Sequence, residues 1–315
     1  MGFIITGGIN ISGGVSLDAP PAATFQGSTS GFMTGGRAPP SRNVIAKWPF
    51  ANSSNATSVG TLSQGRYALA GQSSATTGYN SGSGGTNLLI DKFPFASGGT
   101  GTSVGNLTQA RYTCVGQSYT PTSGYTSGGD IGPTYTTRVD KFPFATDTNA
   151  TIVGNLTTAR KGLAGQSSTT HGYTAGGENT NGTVSAVIDK FPFSSDSNAT
   201  SVGSLTQARS GTIAGQSSTS YGYSSGGTPG SGRSAVIDKF SFASDSNATS
   251  VGSLSQARMY VAGQSSTASG YTSGGFVDPN AQVTTIDKFP FASDSNATLS
   301  QNLATANDQG AGQQV

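Results

Sequence analysis

Apolar residues in this chain fall in short runs separated by Gly, Ser, Asn, Asp and Thr, and they show no helical spacing. The most regular run is a tetrapeptide that recurs six times. It reads Lys47-Trp48-Pro49-Phe50, Lys92-Phe93-Pro94-Phe95, Lys141-Phe142-Pro143-Phe144, Lys190-Phe191-Pro192-Phe193, Lys239-Phe240-Ser241-Phe242 and Lys288-Phe289-Pro290-Phe291, with steps of 45, 49, 49, 49 and 49 residues between the lysines. Each unit divides into four β-prone stretches bounded by turn residues, as at 210–216, 222–227, 235–242 and 247–252. A repeat of this length built from four strands is one blade of a β-propeller. The expected core is the two aromatics of each tetrapeptide, the Ile or Val before it, the Val and Leu after it, and the series Phe32, Tyr79, Tyr125, Tyr173, Tyr223 and Tyr271.

The fold class is therefore all-β, a single propeller domain spanning 1–315. The ends decide the blade count. Residues 22–27 supply a first strand to the Lys47 unit, which completes six units. Leu303 to Gln313 copies a first-strand passage, and Gly2 to Gly8 resembles a second strand. The pattern predicts a seventh, hybrid blade made from residues 1–21 and 303–315; the alternative is six blades with two tails.

Composition narrows the chemistry. Charged residues make up 10% of the chain and the formal net charge is +2, against about 25% charged in average proteins, so no nucleic-acid footprint is present. No apolar run reaches membrane-spanning length, which predicts no membrane insertion. The start lacks a basic n-region, so no secretory signal is read there. The single Cys114 and single His171 leave no disulfide and no His/Cys metal site. Cys114 stands where other units carry small apolar residues, and His171 lies in a Ser-Thr-rich loop. No catalytic residue, metal or cofactor is expected.

Repeated polar residues read as structure. Asp91, Asp140, Asp189, Asp238 and Asp287 precede the lysines and are expected as partly exposed ladder or turn pairs. Arg66, Arg111, Arg160, Arg209 and Arg258 are expected to bond carbonyls or an Asp between blades. The Asn-Ala-Thr sequons read as turn asparagines before a β-branched strand start. Departures from the repeat are the more informative signal. The loops between second and third strands differ in length and content, which makes Arg37, Arg42, Asp130, Tyr135, Glu178, Arg233, Phe276 and Asp278 the candidate binding residues. On the opposite face, Gln72, Gln117, Gln166, Gln216 and Gln264 are expected to form a polar channel rim.

The Arg-led first strand, the second strand ending Tyr-x-x-Gly-Gly, and the third strand ending in an aromatic resemble kelch-type repeats. The motifs Asp-Lys-Phe-Pro-Phe, Ser-Asp-Ser-Asn-Ala-Thr and Ala-Gly-Gln-Ser-Ser resemble repeat proteins of marine phages. That resemblance implies a non-enzymatic structural or binding module, tail-associated or on the virion surface. Its partners would be other virion structural proteins and host-surface glycans, and its location the virion surface or extracellular space, with a cytoplasmic site as the alternative. A carbohydrate-active propeller enzyme or an intracellular kelch-type adaptor are the competing classes.

Overall fold

Short strands rich in Thr, Val, Ile and aromatics, broken by Gly and Ser turns, form six antiparallel sheets of the propeller type in the computed structural model, which describes residues 26–37, 41–84, 87–119 and 122–315. Each blade runs from an innermost strand at the axis to an outermost strand at the rim. In blade four the order is Ala164–Ser167, His171–Ala175, Val187–Pro192 and Thr200–Ser204. The third and outermost strands shift register by one residue in every blade, as between Ile188 and Asp189. Such a bulge increases local twist. In blade five the first strand begins only at Ala214, later than the sequence suggests, because Gly211 and Thr212 have φ of 81° and 48° and cannot continue a strand.

Closure settles the blade count at six. The C-terminal strand Ala311–Gln314 pairs antiparallel with Ser30–Thr34, followed by Val44–Pro49 and Thr57–Thr61, so the chain end supplies the innermost strand of blade one. The predicted seventh blade is thereby replaced: its C-terminal half is consumed by blade one. Of the first strand expected at 22–27, residues 22–25 lie outside the described residues, and Gly27 bridges in parallel to Ser266 of blade six. The strand expected at Gly2 to Gly8, with the rest of 1–21, lies outside the described residues.

Each blade packs on the next through one aromatic cluster. Tyr79 sits 5.6 Å from Phe142 and 4.7 Å from Phe144, and Tyr223 stands 5.4 Å from Phe289 and 4.9 Å from Phe291. Phe32 and Tyr271 take the same place at the seam blades, against Phe93 and Phe50. The Ile or Val of the third strand and the Leu after the outermost strand are buried beside them, as expected. The sequon asparagines act between blades rather than only within turns. Asn149, Asn198, Asn247, Asn296 and Asn55 each accept the backbone N–H of the neighbouring outermost strand at 3.0–3.1 Å. Where blade two has glycines instead, Gly99 and Thr100 make a short parallel pairing with Gly60 and Thr61.

The aspartates before the lysines are not partly exposed. Alternation along the third strand turns Lys outward and Asp inward, and all five carboxylates are fully buried against the repeat arginines. The pairs Arg66 with Asp91, Arg111 with Asp140, Arg160 with Asp189, Arg209 with Asp238 and Arg258 with Asp287 lie at 2.7–3.3 Å within their own blades. The same carboxylates accept hydrogen bonds from Ser63, Thr108, Thr157, Thr206 and Ser255. Lys92, Lys141, Lys190 and Lys239 instead reach the turn aspartates of the next blade, as Lys92 does Asp147 at 2.7 Å. These outer pairs are exposed and contribute little, about 0–1 kcal/mol each.

Blade one lacks all three members of the buried network at once. Ala46 stands for Asp, Ala304 for Ser or Thr, and Asn307 for Arg. A cavity of about 100 Å³ occupies the place, lined in part by Met33, Ala46, Leu303, Ala304 and Asn307. Joint loss is what the physics demands, because one buried charge without its partner costs about 3–5 kcal/mol. Ala46→Asp alone should therefore lower the thermal midpoint, while Ala46→Asp with Ala304→Ser and Asn307→Arg should recover at least the parent value. A triple variant no more stable than the single one would contradict this account.

Candidate functional site

The axis is closed by the sequence Ala-Gly-Gln-Ser. Gly71, Gly116, Gly165, Gly215, Gly263 and Gly312 approach so closely that a Cβ on any of them would lie under 3.0 Å from the backbone oxygen of the preceding glycine in the ring. The glutamines beside them are buried, and Gln72, Gln117 and Gln166 line one of the small cavities at the axis. Gln72, Gln117, Gln166, Gln216, Gln264 and Gln313 are buried, and each donates through Nε2 to the carbonyl of Tyr125, Tyr173, Tyr223, Tyr271, Phe32 and Tyr79 in turn, at 2.9–3.1 Å. An innermost strand has a neighbouring blade on both faces, so alternation sends Gln toward one neighbour and Ser toward the other. The serines accept across the other seam, as Ser118 Oγ does from the Ser73 N–H at 2.9 Å. What remains of the axial channel is two cavities of about 60 Å³ each, too small for an organic ligand.

Beyond the glycines, the chain enters each blade through a residue in the left-handed region. These are Ala68, Thr113, Gly162, Thr212, Tyr260 and Gln309, with φ between 48° and 66°. Backbone N–H groups link several of them around the axis: Ala68 to Gln309, Thr113 to Ala68, Gly162 to Thr113, and Gln309 to Tyr260, at 2.7–2.9 Å. This collar is the floor of a funnel of about 310 Å³ on the face that carries the second-to-third-strand loops. Tyr67, Tyr112, Lys161, Ser210 and Tyr260 line it together with Arg37, Glu178, Thr228 and Gln309.

Two side-chain clusters from the predicted loops stand at this face. In the first, Lys161 Nζ lies 3.2 Å from Asp130 and 3.8 Å from Glu178, with the Tyr135 ring centroid at 4.6 Å. The Tyr135 hydroxyl donates to Glu178 Oε1 at 2.7 Å. Burial alone would lower the Lys161 ammonium, but its bonds to Tyr135 and Asp130 and the two carboxylate charges hold it above the ordinary lysine range. Burial, and then Asp130, raise the Tyr112 hydroxyl. In the second cluster the guanidinium groups of Arg233 and Arg37 stand 4.9 Å and 5.6 Å from the Phe276 ring centroid. Arg233 also pairs with Asp278.

Seven of the eight predicted loop residues thus converge, in two groups. Arg42 turns away and donates to the Ala306 carbonyl at 3.1 Å. Reading by loops alone misses Tyr67, Tyr112, Lys161, Ser210 and Tyr260. The position after the repeat arginine reads Tyr67, Tyr112, Lys161, Ser210, Met259 and, after Asn307, Asp308, so this part of the wall differs from blade to blade, as do the two positions that follow it, the first of which holds Tyr260. Cys114 is buried as expected. His171 is half-buried at the start of a second strand, its Nδ1 2.8 Å from the Thr170 hydroxyl.

Asp308 ties the funnel to the closing strand. Its side chain is fully buried, accepts from Gln282 Nε2 at 2.8 Å and lies 3.8 Å from Arg37. Burial outweighs these partners and raises its pKa above the ordinary carboxylate range. A carboxyl that holds its proton more tightly when folded subtracts stability as pH rises through and beyond that range. Asp308→Asn should accordingly flatten the fall in thermal midpoint between pH 4 and pH 7. An unchanged pH profile would contradict this reading.

A solved structure, that of YjhT, matches with a TM-score of 0.68 over 89% of this chain and 99% of that one, at 12% sequence identity. At that identity the likeness carries the fold alone. It is one of 271 solved chains that match, so the scaffold by itself does not select a ligand. No protein-family model and no curated protein matches the sequence.

Proposed function

We propose that this propeller is a non-enzymatic binding module that presents its funnel face to a host-surface glycan, as a component of a phage virion surface or tail. The observation that carries the reading is the funnel. Its walls are the positions where the repeats differ, mounted on a ring whose other contacts are repeated almost without change. Rigid scaffolds with varied loops are the usual architecture of recognition. Three tyrosines beside charged and hydroxyl side chains suit a polar ligand with apolar C–H faces better than a purely apolar one. The phage assignment is supported by the resemblance of the repeated motifs to marine phage repeat proteins. The opposite face, with its repeated Lys and Asp side chains, is left for virion partners.

An array of immobilised glycans probed with the whole chain tests the ligand class. Saturable binding to a subset of glycans is expected, reduced at least tenfold in a Tyr112→Ala, Tyr260→Ala variant whose melting curve matches the parent. Binding to none, or binding indifferent to those substitutions, would overturn the glycan assignment. Peptides of this chain in gradient-purified phage particles are expected under the same reading, and their confinement to the soluble lysate would contradict the virion assignment.

A further inference from the structure

We infer that the funnel takes an acidic sugar, a pyranose whose one anionic substituent is received by the Arg37 guanidinium; this rests on the glycan-binding reading above and names its ligand class. The charged side chains that line the funnel are Arg37, Lys161 and Glu178, two cations against one carboxylate. Lys161 and Glu178 answer each other at 3.8 Å, and each has a nearer partner: Asp130 at 3.2 Å for the lysine, the Tyr135 hydroxyl at 2.7 Å for the glutamate. Arg37 is placed differently. Its side chain is 47% exposed, its ionic neighbour Asp308 stands 3.8 Å away, beyond hydrogen-bond reach, and none of its guanidinium N–H groups donates to a described residue. Asp308 is itself fully buried and takes its hydrogen bond from Gln282 instead. An anion entering the funnel therefore meets one cation whose donors are unspent.

A guanidinium presents paired N–H groups that match the edge of a carboxylate or a sulfate, and such charge-assisted bonds are the strong ones. Half-exposure matters here, because a cation still in contact with water gives up less hydration on pairing than a buried one. The Phe276 ring, 5.6 Å from the guanidinium, backs it. A sugar rather than a bare anion is indicated by the rest of the funnel. Thr212 lines it, and its Oγ1 is buried without a hydrogen-bond partner in a residue only 9% exposed. A buried hydroxyl left unpaired is costly unless a ligand or water completes it, and a sugar hydroxyl does so. The volume of about 310 Å³ lies at the low end of ligand pockets, about 300–1,000 Å³, which suits one terminal ring. Tyr67, Tyr112 and Tyr260 offer apolar faces to its C–H groups.

The test presents the whole chain, at pH 7.5, with matched immobilised glycans ending in glucuronate, galacturonate or 6-sulfogalactose and in the parent glucose or galactose, and measures affinity by surface plasmon resonance. At least one acidic terminus is expected to bind saturably and at least tenfold more tightly than its neutral parent, and which one does so identifies the anion as carboxylate or sulfate. Arg37→Gln should bring that ratio below threefold with a parent-like melting curve. Raising the salt concentration should shrink the ratio in the parent chain, which decides if the variant does not fold. Thr212→Val should weaken acidic and neutral termini alike and leave the ratio in place. Neutral termini bound as tightly as every acidic one, a ratio unchanged in Arg37→Gln, or a glycan array whose hits are all neutral would overturn the inference while leaving the glycan reading in place. Binding to none of these termini, together with an empty glycan array, would remove both.

Discussion

The close approach of six glycines at the axis is the constraint on which the rest of this structure depends. With no Cβ between them, the innermost strands pack backbone against backbone. That proximity lets each buried glutamine reach the second strand of the next blade, and lets each serine accept from the strand beside it. It also closes the channel. Recognition is therefore displaced from the axis to the funnel above the collar, where the chain is free to vary.

Stability in such a ring is spread over equivalent seams rather than held in one large core. Each seam combines an aromatic cluster and a glutamine bond, five of the six add an outer asparagine bond, and each of blades two to six adds a buried arginine and aspartate pair. The closing blade differs. It is assembled from the two halves of the chain and has dropped the ionic network as a unit, leaving apolar side chains and a cavity. A buried ion pair requires both partners in place before it stabilises anything. A blade whose innermost strand arrives last, from 277 (Thr34 to Ala311) to 283 (Gly31 to Gln314) residues away along the chain, can form by apolar packing and strand pairing alone.

Much of this was legible in the repeat. The tetrapeptide period, the four β-prone stretches and the aromatic series gave the architecture, because hydrophobic pattern and turn chemistry act locally. The errors share one cause. Asp91 and its equivalents look exposed beside lysines when a strand is imagined with one wet face. In this ring both faces of the inner strands are covered, so polarity there means a partner in the next blade rather than water. The blade count failed for a related reason: an unmatched half-unit at the C-terminus completes the first blade instead of starting another. The funnel residues after the repeat arginine differ between blades, but so do the residues that follow them, and only the collar geometry shows that they meet.

The axial packing can be tested at Gly215, whose Cβ would meet only backbone atoms of Gly165, with Gly101 as the control because a Cβ there meets its neighbours no closer than 3.4 Å. Measured by denaturant unfolding, Gly215→Ala is expected to lower stability by about 1–3 kcal/mol, the usual cost of overpacking, while Gly101→Ala changes it little. Gly→Ala ordinarily stabilises by about 0.4–1 kcal/mol where the backbone allows it, through the unfolded chain. A gain of that size at Gly215 would contradict the claim that the glycine ring sets the structure.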